Sequence, residues 1–254
     1  MSSIITALNT TQIAGLSTAA IAGLGTADWA AFNTQQIMVL TTAQVPSISS
    51  TSLGAIGSKE IAVMTTTELH AFTTQALKGL TTAQIGALTT DQINGFSTAQ
   101  LASLNTMQIS FITTADIAAL NSTEVGAFNT TQVGALTTDQ LIALGTNDVS
   151  ALTTNELRAL NSAQLNSLTT DQIGALRTAQ IAALSTTQIA ALTTDQAIAL
   201  GTMGIHALTT QEAAALTSTQ LNALTSDQMA AITTADVVAL TTAQVAHLTS
   251  TNLD

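Results

Sequence analysis

The chain has 254 residues, of which 46% are hydrophobic, 7% charged and 2% aromatic, with fifteen Asp and Glu against four Lys and Arg and no Cys. A net charge of −11 with only Lys59, Lys78, Arg158 and Arg177 as cations excludes a phosphate-gripping surface, since nucleic-acid affinity rests on clustered Lys and Arg. The lack of Cys excludes disulfides, thiol catalysis and zinc-thiolate sites.

The opening segment, Met1 to Ala7, has neither the basic start nor the long apolar run of a secretory signal, and it already follows the period that governs the rest. From Leu8 an octad, Leu-Thr-Thr-x-Gln-Ile-x-Ala, repeats without insertion or deletion. With Leu8 as position a, the a residues run Leu16, Leu24, Phe32, Leu40, Ile48 and onward to Leu248, and none is polar. Position f is likewise apolar from Ile5 and Ile13 through Trp29, Ile93 and Ile189, weakest at Ala197 and Ala213, and position c is always Thr or Ser. So strict a period marks an array whose units bury one another. No composition shift divides it, so one continuous array over 1–254 is expected. Polar residues at b, c and usually e interrupt every octad, so no apolar run reaches the roughly 18 to 20 residues of a membrane span.

Three local structures can be tested against a period of eight. An unbroken helix would advance its apolar stripe by about 80° per octad and lose its face. An unbroken strand would point a and f to opposite sides. A short helix broken once per octad fits. Position b is Thr, Asn, Ser or Gly from Asn9 on, except Arg177, and suits an N-cap; e, three residues later, is mostly Gln or Glu, as in Gln12, Gln36, Gln84, Glu124 and Gln188. That is a capping box, and the apolar pair a and f supplies its hydrophobic staple. Asp91, Asp139, Asp171, Glu60, Glu156 and Asp236 fall at d or e, where a helix start favours negative charge. Each helix would run from about c to h or the next a. Too short to persist alone, it depends on its neighbours.

The expected fold class is therefore all-α, a solenoid of very short helices, one per octad. A β-solenoid with Thr ladders stays open because hydroxyls are stricter at c than at b. Equivalent octads with no odd-even alternation favour a spiral over paired hairpins. Small residues at h, such as Ala119, Ala127 and Ala135, would allow close approach. Variable residues at g, among them Met38, His70, Arg158 and His206, should face solvent. Pro46, Ser49, Ser50, Ser52, Gly54 and Gly57 weaken the pattern, so a kink is expected at 45–63.

No constellation for catalysis emerges. His70, His206 and His247 lack metal-ligand spacing, no Ser sits in G-x-S-x-G, and no glycine-rich phosphate loop is present, so the chain reads as a non-enzyme without cofactor. Carboxylates at d and e leave weak calcium binding at an acidic edge as the one metal reading. Trp29 and the five Phe residues sit at a, f or h and read as core.

Segments such as Leu136-Thr137-Thr138-Asp139-Gln140-Leu141 and Leu176 to Ala199 resemble the octad arrays of large exported bacterial proteins described as adhesin-like or haem-utilisation-like. The resemblance implies an extracellular or cell-surface location, reached without a conventional N-terminal signal peptide, and a structural part as rod, stalk or filament. It carries over no functional residue. Ser2 and Asn252 belong to ordinary octads, which suggests end-to-end self-association. The rival reading is a surface-binding module, an adhesin or an ice-binding Thr array.

Overall fold

The computed structural model describes residues 3–248; Ser2 and Asn252, read above as ordinary octads, lie outside them. Among the described residues there are 29 short α-helices and two 3-10 helices and no strand. The β-solenoid alternative is thereby set aside. The described residues fall into two compact units, 3–128 and 129–248, and both are all-helical repeat solenoids.

The corner lies where the capping chemistry puts it. In the first unit Thr89 has extended backbone and its Oγ1 accepts from the Gln92 amide, while the Gln92 Oε1 accepts from the Thr89 amide. In the second unit Thr169 and Gln172 make the same reciprocal pair. The helix proper then starts at c, as in Thr90–Asn94 and Thr170–Gly174, so b is the cap and c the first helical residue. Side-chain capping fails only where b offers no suitable oxygen, as at Gly25, Gly57, Gly145 and Arg177, or where the corner itself changes. At Gly201 the corner is rebuilt: its φ of 67° is left-handed, and helix Gly201–His206 begins one residue early.

Stacking runs between a helix and the third one after it. In the first unit Thr74–Leu77 packs on Thr98–Ser103, and Thr90–Asn94 on Thr114–Ala119. In the second, Thr130–Val133 packs on Thr154–Ala159 and Gly201–His206 on Ser226–Ala231. One coil thus takes between three and four octads. Away from the first and last coils, octads contribute the same two anchors to the core, for example Ile93 and Phe96, or Ile173 and Leu176, all buried. Each such side chain contributes about 1.5–3 kcal/mol on leaving water, which holds helices of four to six residues that would melt alone.

The segment 45–63 keeps this register. Pro46 has no amide to donate, so the helix expected there shrinks to the 3-10 turn Val45–Ser47 with Pro46 in its first turn. The capping pair Thr41 and Gln44 before it is intact, and Val45, Ile48, Leu53, Ile56 and Ile61 remain buried.

Trp29 stacks on Phe32 with ring centroids 4.8 Å apart, and Phe32, Phe72, Phe96 and Phe128 are buried as expected. Phe111 is a correction: it is 52% exposed. Position h brings its backbone against the neighbouring coil, as the Phe111 carbonyl does beside Gly86, which turns a bulky h side chain outward.

Candidate functional site in the seam between coils

The most organised polar chemistry of this chain lies at position e. Beyond closing the capping box, the Gln side chain is buried between coils. Gln84 Nε2 donates to the carbonyls of Leu53, 2.8 Å, and Ile56, 2.6 Å. Gln172 Nε2 donates to those of Leu141, 2.9 Å, Ile142, 3.4 Å, and Leu144, 2.7 Å. The usual rule is that the amide reaches the f carbonyl 31 residues back and the a carbonyl 28 residues back, as Gln36, Gln108, Gln188 and Gln220 also show, while Gln164 and Gln228 use the g carbonyl 30 residues back. Those a carbonyls sit at helix ends, where the backbone has no internal donor to give them. One side chain therefore caps its own helix start and closes the end of another.

The seam is directional. Gln12, in the first described coil, is exposed, whereas Gln36 and Gln44, which have an earlier coil against them, are buried. At the other side of the second unit Val237 and Val245, both at f, are 52% and 54% exposed, although f residues such as Leu165 and Ile189 are fully buried. Position e thus faces the preceding coil, and f faces the following one.

A carboxylate at e keeps half of this function. Glu68, Glu156 and Glu212 are buried and accept from the b amides of Thr65, Thr153 and Thr209 at 2.6–2.7 Å, but a carboxylate has no hydrogen to give the preceding coil. Asp116, shorter, accepts instead from Thr113 Oγ1, 2.6 Å, and from Thr90 Oγ1 of the preceding coil, 2.7 Å. Thr90 is a c residue, so one strict hydroxyl does cross between coils.

Asp28 is the analogous group near the start: the Ser3 hydroxyl foremost, then the Gly25 amide, hold its carboxyl below the usual aspartate range. A lowered native value means the contribution is complete above the unfolded value and disappears as pH falls through the folded one. Acidification below the usual aspartate range is expected to loosen Ile4–Ala7 from Thr26–Trp29. Hydrogen exchange of residues 4–8 at low and neutral pH checks this, and Asp28→Asn should remove the difference.

The candidate residues singled out from sequence are dispersed along the coil edge. His70 Nδ1 donates to the Gly95 carbonyl and His206 Nδ1 to the Ala231 carbonyl, each at 3.2 Å, because a carbonyl can only accept. Asn222, another g residue, donates in the same way to the His247 carbonyl at 2.8 Å. Position g is thus largely exposed, as expected, yet also touches the h backbone 25 residues on. His247 shares a shallow cleft with Asp195 and Ser218, but no hydrogen bond joins these three side chains. Among the described residues no three His, Cys, Asp or Glu gather to hold a metal ion. No described helix is long and apolar enough to cross a membrane.

With this geometry the comparison with known families can be read physically. The ALTTAQ repeat profile matches residues 61–98, 111–146, 141–178 and 173–202, just over half of the chain. The chain belongs to the ALTTAQ repeat family. No curated protein matches it. In the ALTTAQ motif the six letters fall at h, a, b, c, d and e, so the motif is the corner itself: small contact residue, anchor, cap, first helical residue, and the amide that ties one coil to the previous. The capping box was legible in the sequence; the amide's second role was not. Its signal was the predominance of Gln over Glu at e, since a capping box alone accepts either.

Proposed function

We propose that this ALTTAQ protein is a non-enzymatic structural array that works outside the cell and assembles coil on coil with further copies of itself. The observation that supports it is the directional seam. A coil presents amides and a different, apolar and carbonyl-bearing surface on its two sides, so the contact is heterologous and repeats without closing on itself. Nothing in the recognition depends on which octad is involved, because the Gln amide meets backbone carbonyls. Hydroxyls at b are committed to caps, as at Thr137 and Thr193, which turns them away from ligand duty. The extracellular assignment rests on the resemblance to exported octad arrays.

Light scattering and electron microscopy over a hundredfold range of concentration test the assembly. Growth of elongated particles with concentration is expected. A chain that stays monomeric throughout would remove self-assembly from the reading, and recovery only in the cytosolic fraction of its native cells would remove the extracellular part.

A further inference from the structure

We infer that the first unit parts at one seam, between residues 21–48 and residues 52–76. Elsewhere in the unit no more than two successive octads lack Gln at e, as at Asp116 and Glu124, whereas here four do. The e residues of four successive octads, Gln84, Gln92, Gln100 and Gln108, all send their amides to carbonyls of residues 53–80. The four octads before them carry Ser52, Glu60, Glu68 and Ala76 at e. None of these places an amide on the a and f carbonyls of Ile21, Leu24, Trp29, Phe32, Ile37, Leu40, Val45 and Ile48. Before that, Gln36 and Gln44 again bridge to residues 5–16. The bare turn therefore lies between two bridged ones.

The bare seam is packed. Helix Thr26–Trp29 lies on Ser50–Ala55, and Thr34–Ile37 on Ser58–Ala62. Its f side chains Ile21, Trp29, Ile37 and Val45 are buried, so the closed state dominates. What it lacks is the directional term. Ser52 Oγ accepts from the Ser49 hydroxyl, and Glu68 spends one oxygen on the Thr65 amide. Two carboxylates, Glu60 and Glu68, stand where donors serve other coils. The segment leading into the link between the two sides is Val45–Ser47, the 3-10 turn in which Pro46 removes one amide donor. Opening here detaches the residues before 48 from the remainder of the unit, and that short piece, with a single bridged seam of its own, unfolds as a block. Such a low-stability boundary within a stacked array is a cooperative sub-global opening.

Hydrogen exchange of the full chain at neutral pH reads this directly. Helical amides of residues 10–48 should exchange as a block at least tenfold faster than those of residues 90–112. The variant Ser52→Gln/Glu60→Gln/Glu68→Gln/Ala76→Gln supplies the missing amides and should slow the block at least tenfold. Glu60→Gln/Glu68→Gln alone should give part of that effect, and guards against a poor fit at Ala76. Simple fraying inward from residue 3 would be insensitive to both variants. Equal exchange in the two segments, or a block whose rate neither variant changes, overturns the inference.

Discussion

Gln172→Glu is expected to destabilise the second unit by about 2–4 kcal/mol, although it replaces one atom and keeps the capping box. Gln172 is buried, its Oε1 accepts from the Thr169 amide at 2.8 Å, and its Nε2 gives hydrogens to the Leu141 and Leu144 carbonyls at 2.9 and 2.7 Å. A carboxylate preserves the first contact. It removes every donated bond and sets negative charge against carbonyl oxygens that it cannot satisfy. The converse change, Glu212→Gln, should stabilise by about 1–2 kcal/mol, because Glu212 already accepts from Thr209 and gains donors toward the preceding coil. Urea unfolding at neutral pH measures both. Opposite signs are required; a neutral Gln172→Glu would show that the seam is held by packing alone.

Gly79→Ala is expected to cost about 2–4 kcal/mol or to prevent folding of the first unit. A Cβ at Gly79 would come 1.9 Å from the Ser50 carbonyl oxygen and 2.7 Å from the Ser50 Cα, so the obstruction is backbone and no rotamer relieves it. Position h meets the start of a helix 29 residues earlier, and here the two backbones are in contact. Gly15→Ala is the matched control. Its Cβ would meet nothing closer than 3.4 Å, its backbone is already helical, and a gain of about 0.4–1 kcal/mol is expected from the stiffer unfolded chain. Thermal melts of the two variants should move in opposite directions.

Much of the fold was legible in the sequence because each octad repeats a complete set of local instructions. Asn9, Thr89 and Thr169 announce caps, Gln12, Gln92 and Gln172 answer them, and the apolar pair at a and f fixes which side is buried. The number of octads per coil was not legible, since nothing within eight residues records which earlier carbonyl an amide will meet. That distance of 28 to 31 residues comes from closing the coil. Phe111 was misplaced for a related reason: its hydrophobicity is local, but the backbone that excludes it from the core belongs to another coil. The seam that serves as candidate site was half visible, as Gln in a capping box, and half hidden, as a donor whose acceptors are anonymous backbone.

The coupling of cap and seam in a single amide also fixes the scale on which these units fold. The Gln contacts at e span 28 to 31 residues and contacts at g span 25, in either unit alike. The entropy of loop closure is thus set by one coil's length and does not grow as octads are added. After a first closed loop, each further helix joins an existing template at the same entropic cost, so elongating an array of this kind should leave its rate-limiting step almost unchanged.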